Sequence, residues 1–73
     1  MEMTPTHPTI RLNGSPREIP SAMTLDSLLA HLGLSGKPVV VELNESAVFP
    51  REYATTTVSN GDRIEIVTLA AGG

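Results

Sequence analysis

The stretch TLDSLLAHLGL, Thr24 to Leu34, decides how the rest of this 73-residue chain is to be read. Leu25, Leu28, Leu29 and Leu32 fall at i, i+3, i+4 and i+7, which lines one face of an α-helix with apolar side chains. Thr24 stands where an N-cap is needed, because its hydroxyl can accept one of the helix's unpaired N–H groups. Asp26 in the first turn suits the positive end of the helix dipole. Met23 and Leu28 are spaced for a hydrophobic staple across that cap. Gly33 suits the left-handed position just past the last turn, and Leu34 beyond it can fold back on Leu29. Beginning, face and end agree on one short helix with one apolar side, and that side must be buried against something.

The flanking segments supply strands. Before the helix, Thr9-Ile10-Arg11-Leu12 alternates polar and apolar residues, as a half-buried strand does. Asn13-Gly14 provides the positive φ angles of a tight hairpin turn, and Arg17-Glu18-Ile19 is the expected return strand. Residues 1–8, with two prolines and two threonines, read as a flexible leader. After the helix, Ser35-Gly36-Lys37-Pro38 turns the chain into the β-branched run Val39 to Asn44, with Val39, Val41 and Leu43 on one face. Val48-Phe49 is a shorter strand that Pro50 should stop, because proline has no N–H for the ladder. Arg51 to Val58, with three threonines in a row, reads as extended chain or loop. Asn60-Gly61-Asp62 is a second turn signal, followed by a last strand from Arg63 to Leu69. Ile64 and Ile66 should point inward and Val67 and Leu69 to the opposite face. The order implies an α+β domain over residues 9–69, one helix packed on one face of a sheet of about five strands.

Composition narrows the function. Hydrophobic residues make up 40% and charged residues 18%, the balance of a folded domain rather than a disordered chain. The net charge is -3, and the five cations (Arg11, Arg17, Lys37, Arg51 and Arg63) are scattered, which argues against nucleic acid as a partner. No apolar run approaches the length of a membrane span and no signal-peptide pattern appears, so no membrane partner and a cytoplasmic location are expected. There is no cysteine, hence no disulfide, thiolate metal site or cysteine nucleophile. His7 and His31 lack further ligands at metal spacing. Asp26, Glu42, Glu45, Glu52, Asp62 and Glu65 are not paired locally for acid–base work and read as solvated. Neither a dinucleotide-binding glycine motif nor a phosphate loop is present. The chain is expected to be no enzyme and to bind no cofactor of its own.

What remains is the segment after the last strand, Leu69-Ala70-Ala71-Gly72-Gly73. Five residues can extend roughly 17 Å. Gly72 and Gly73 have no Cβ, so they can enter a narrow channel with backbone angles closed to other residues. An α-carboxyl with a pKa of about 3.3–3.7 is ionised at neutral pH and can attack the α-phosphate of ATP. The acyl-adenylate so formed is open to a nucleophile, a sulfur donor included. A slender tail over residues 70–73 on a compact body suits a carrier whose end visits another protein's active site. If Ile64 and Ile66 face the helix, then Val67, Leu69 and Val40 lie on the sheet's outer face, where they can form an apolar docking patch beside the tail. Arg63 and Glu65 border that patch as solvated strand residues.

From Ile10 to Gly73 the chain resembles the ubiquitin-like β-grasp sulfur carriers, and most closely the ThiS family of the thiamine pathway. The resemblance is carried by IRLNG, MTLDSLLAHLGL, VVVELN, VFPREYA, NGDRIEIV and the Gly-Gly pair, in that order and spacing. It implies a mixed sheet with the first and last strands side by side and parallel. It also implies a mechanism. A ThiF-like adenylyltransferase consumes ATP to adenylate Gly73, and sulfur from a partner's persulfide displaces AMP to leave a thiocarboxylate. A ThiG-like thiazole synthase then takes the sulfur. Ala70, Ala71 and Gly72 would occupy the partner's channel. With no cysteine in the chain, sulfur carried by it must sit on the terminus. The small subunit of molybdopterin synthase shares this fold and chemistry, but its tails typically carry a proline pair where this chain has Thr68-Leu69-Ala70-Ala71. Two other readings stay open: a ubiquitin-like protein modifier, and an interaction module whose tail is inert.

Overall fold

The computed structural model describes residues 7–69. Seven strands and one helix follow one another in the order β1 (Thr9–Leu12), β2 (Ser15–Glu18), β3 (Met23–Thr24), α1 (Leu25–His31), β4 (Val39–Leu43), β5 (Ser46–Val48), β6 (Thr57–Val58) and β7 (Arg63–Thr68). Five of the strands make a mixed sheet in the order β2-β1-β7-β4-β5. β1 and β7 run parallel at its centre, while every other neighbouring pair is antiparallel. The helix covers one face, and the whole is the β-grasp arrangement expected above. Among the described residues no helix is long and apolar enough to cross a membrane.

The helix forms as its sequence predicts. Thr24 Oγ1 accepts the Ser27 N–H at 3.1 Å. The two N–H groups before it are also taken, Leu25 N–H by the Thr56 carbonyl at 2.8 Å and Asp26 N–H by the Tyr53 carbonyl at 3.1 Å. Three of the four donors that a helix start leaves unpaired are thus satisfied. At the far end Gly33 has φ +76°. Leu34 N–H reaches back to the Leu29 carbonyl at 2.7 Å and Gly33 N–H to that of Ala30 at 3.1 Å, the double closure of a Schellman motif. Leu32 falls just outside α1 as its C-cap and still packs against the core.

Ile10, Val41, Ile64 and Ile66 from the sheet meet Leu25, Leu28 and Leu29 from the helix, and all are buried. Ile19, Tyr53 and Val58 complete this core from outside the five-stranded sheet. Tyr53 and Val58 come from the stretch Arg51 to Val58, read from the sequence as extended chain or loop. It is more structured than that. Pro50–Glu52 forms a 3-10 turn, with the Glu52 carboxylate accepting the Phe49 N–H at 2.9 Å. The hydroxyls of Thr55 and Thr56 donate to the Glu52 carbonyl at 3.3 and 2.7 Å. Thr57–Val58 then pairs with Met23–Thr24 as a second, two-stranded sheet. Met23, assigned above to a staple, therefore belongs to a strand as well.

The short strand expected at Val48-Phe49 lies at Ser46–Val48 instead. The reason is the turn before it. Asn44 and Glu45 both take positive φ, 50° and 71°, so a two-residue turn returns the chain directly and pairs Leu43 with Ser46. Asn13-Gly14 does the same between β1 and β2, with φ 50° and 85°.

Candidate functional site

The tail emerges from β7, and the structure holds that strand from both sides. In the β1–β2 turn, Asn13 N–H donates to the Ile64 carbonyl at 2.9 Å. Its side chain extends the pairing where β1 itself has ended: Oδ1 accepts Ile66 N–H at 2.8 Å, and Nδ2 donates to the Ile66 carbonyl at 3.1 Å. Asn44, in the β4–β5 turn, grips the start of the strand from the other edge. Its N–H donates to the Arg63 carbonyl at 2.7 Å, and its Oδ1 accepts Arg63 N–H at 2.9 Å. Leu69 N–H donates to the Pro38 carbonyl at 2.9 Å, one residue past the end of β7. The base of the tail is thus fixed as far as Leu69. Ala70, Ala71, Gly72 and Gly73 lie outside the described residues, as do residues 1–6 of the expected leader. Of that leader, Pro8 adds a rung beside β1 by accepting Ile19 N–H at 2.9 Å.

The side chains of β7 divide by alternation. Ile64 and Ile66 enter the core, while Val67 and Leu69 are 58% and 52% exposed. Val40 is the cross-strand partner of Val67 and is 47% exposed. The three residues assigned to a docking face therefore stand together on the uncovered side of the sheet. Phe49 is the other large apolar residue left exposed among those described. Its backbone is extended and it follows Val48, the partner of Val41, so alternation carries it toward Val40 on the outer side. Arg51 lies over its ring, 5.3 Å from the centroid. The sequence reading missed Phe49 because it placed the residue inside a strand. The available signal was its spacing from Val41 and Val48, which needs the register of β4 and β5 to interpret.

Next to this apolar end the outer face dips into an open trough of about 440 Å³, lined by Val40, Glu42, Glu45, Arg63, Glu65 and Val67. Glu42 and Glu65 face each other across β4 and β7. Arg63 pairs with Glu45 at 3.3 Å.

No group of three metal-ligating side chains forms among the described residues. His7 and His31 line one shallow cleft with Glu18, and His7 Nδ1 is 3.3 Å from the Pro20 carbonyl oxygen. Tyr53 is buried with its hydroxyl unpaired among the described residues, and burial raises its phenol above the ordinary value of 10.0. It belongs to the core on the helix side of the sheet, opposite the face that carries Val40 and Val67.

A family model described as the ThiS family matches residues 10–73. The chain belongs to the ThiS family. The curated "Sulfur carrier protein ThiS" of Thermus thermophilus is 39% identical over 62 residues, 85% of this chain and 95% of that one. A thiazole synthase of Paramagnetospirillum magneticum is also 39% identical over 62 residues, 85% of this chain but 19% of that protein. The chain thus spans only a small part of the length of that relative. Among solved structures, the crystal structure of a thiamine biosynthesis protein (ThiS) from Geobacter metallireducens superposes with a TM-score of 0.77 at 28% identity, covering 89% of this chain and 99% of the other. ThiS-family proteins are sulfur carriers of thiocarboxylate chemistry and generally partner ThiF-like and ThiG-like proteins.

Proposed function

We propose that this chain is the cytoplasmic sulfur carrier of thiamine thiazole formation, with the Gly73 carboxylate as the loading site. The observation that carries the reading is the construction of the tail's base. β7 is the central strand, bonded on its β1 side as far as Ile66 and on its β4 side as far as Leu69, and Val40, Val67 and Leu69 lie exposed at its outgoing end. A tail on such a base can be inserted into another protein's active site while the body docks outside it.

The chemistry follows from the terminus. A ThiF-like enzyme brings ATP, and a Gly73 carboxylate oxygen bonds to its α-phosphorus as pyrophosphate leaves. The terminal sulfur of a partner's persulfide then attacks the carbonyl carbon and expels AMP. A thiolate then attacks the partner-side sulfur of the resulting acyl disulfide, forms a disulfide with it, and releases the thiocarboxylate on Gly73. Ala70, Ala71 and Gly72 are narrow enough to thread the channel that leads to each active site. A ThiG-like synthase as acceptor is supported by the two thiazole synthases that contain a segment similar to this chain within a much longer polypeptide. Tail and enzyme would there be neighbours by covalent connection.

The test is the intact mass of the chain purified from cells grown without thiamine. One oxygen replaced by sulfur, located at Gly73 by fragmentation, is the expected result, together with thiamine auxotrophy when the gene is lost. Deleting Gly73 should abolish loading and leave the unfolding midpoint unchanged. A ladder of isopeptide conjugates with no thiocarboxylate would assign the chain to protein modification instead.

A further inference from the structure

The outer face carries a charge arrangement that folding does not explain. Glu42 and Glu65 are direct cross-strand partners on the exposed side of β4 and β7. Side chains in that relation have Cβ atoms about 4.5–5.5 Å apart, and like charges there destabilise a sheet. Arg63, two residues from Glu65 on the same face, is paired with Glu45. Neither Glu42 nor Glu65 has an ion-pair partner among the described residues.

The neighbouring rung on the same face is Val40 opposite Val67, with Leu69 beyond it. Rungs on one face repeat about every 6.6–6.8 Å along a strand. A protein surface that covers the apolar rung therefore covers the acidic one too. Sealing two adjacent carboxylates without a counter-charge would cost more than the apolar contact contributes. A guanidinium has the planar fork of donors that can bridge two carboxylates at once.

We propose that the Glu42–Glu65 pair is the recognition site for an arginine on the adenylating enzyme that receives the tail, set beside that enzyme's apolar contact with Val40, Val67 and Leu69. This rests on the carrier reading above and adds the chemistry of the docking surface. A second copy of this chain is a poor occupant, because two-fold pairing of the same patch would bring acidic pairs together on chains that each carry a net charge of -3. The pair also explains why a destabilising arrangement is kept: the repulsion in the free carrier is relieved on docking.

The experiment uses the full chain and the adenylating enzyme isolated by its ATP–pyrophosphate exchange on this chain. Affinity is measured at low and high salt for the wild type, for Glu42→Gln with Glu65→Gln, for Glu65→Lys and for Glu18→Gln as control. The double glutamine variant should bind about tenfold more weakly, the size of one lost charge-assisted contact. It should also depend less on salt. Its urea midpoint should be equal to or above the wild type's, which separates recognition from folding. Glu65→Lys should bind more weakly still while unfolding at higher urea, and Glu18→Gln should match the wild type. A double variant that binds within twofold of the wild type overturns the arginine site and leaves the carrier reading standing. Failure of the wild-type chain to support any exchange overturns both. A dimer of the free chain that disperses on Leu69→Asp would assign the face to a second copy and overturn the proposal.

Discussion

Val40 and Val41 are adjacent in the chain and identical in chemistry, yet one is 47% exposed and the other 1%. Their partners across the sheet repeat the contrast, Val67 at 58% and Ile66 at 7%. The two rungs belong to the same pair of strands and differ only in which side of the pleat they stand on. The inner rung is explained by the helix: α1 needs a surface on which to bury Leu25, Leu28 and Leu29, and the sheet provides one. Nothing within the described fold covers the outer rung. Apolar side chains that contribute little to folding and cluster at the outgoing end of β7 fit the docking role proposed above.

The contrast can be broken most forcefully from the inside. Ile64→Ala removes a fully buried side chain and should cost about 2–5 kcal/mol. The chain's total stability is on the order of 4–11 kcal/mol, taking typical values per residue. Urea denaturation measures the loss, and sulfur loading should fall only in proportion to the unfolded fraction. An effect below 1 kcal/mol would mean that the inner face is not the core.

Leu69→Asp is the matching change outside. Its backbone bond to Pro38 survives, so stability should move by no more than about 0.5 kcal/mol. Pyrophosphate exchange should nevertheless drop about tenfold, the scale of one lost apolar anchor at an interface. An unchanged rate would remove Leu69 from the docking surface.

The smallest effect expected is a gain. Tyr53→Phe deletes a buried hydroxyl that lacks a partner among the described residues, and should stabilise the domain by about 1 kcal/mol or less. The sign with pH follows from burial. The folded phenol holds its proton more tightly than the unfolded one, so stability is full below pH 10 and is lost as pH rises through the folded value. The Phe variant should lack that alkaline loss when its unfolding is followed upward from pH 9. A variant less stable than wild type at neutral pH would show that the hydroxyl has a partner after all.

The inner face is legible in the sequence alone because periodicity reports it. Leu25, Leu28 and Leu29 repeat at helical spacing and Ile64 and Ile66 at strand spacing, and each pattern has one solution that buries them. Thr24 and Gly33 were legible for a similar reason, since capping depends on neighbours within a few residues. The strand pair Met23–Thr24 and Thr57–Val58 was not. Two residues are too few to show a period, and their pairing spans a separation that only the folded chain closes. The shift of the β5 strand from Val48-Phe49 to Ser46–Val48 has another cause. Glu45 takes a left-handed conformation unusual for a glutamate, so the turn at Asn44-Glu45 carries no glycine signal. The outer patch was half legible: alternation gave Val67 and Leu69, while Phe49 and the Glu42–Glu65 pair required the register.

The two turn asparagines have one consequence that concerns force. β1 brings the chain into the sheet and β7 takes it out, parallel and adjacent, so tension between body and tail is applied along the strands rather than across them. The bonds on both edges of β7 then share the load together and do not open one by one. Asn13 adds two side-chain bonds at Ile66 and Asn44 adds one at Arg63, places where backbone pairing alone would have run out. On the carrier reading proposed above, a partner that draws residues 70–73 into a channel while holding the body by its outer face would load the strand between them as a tether under shear.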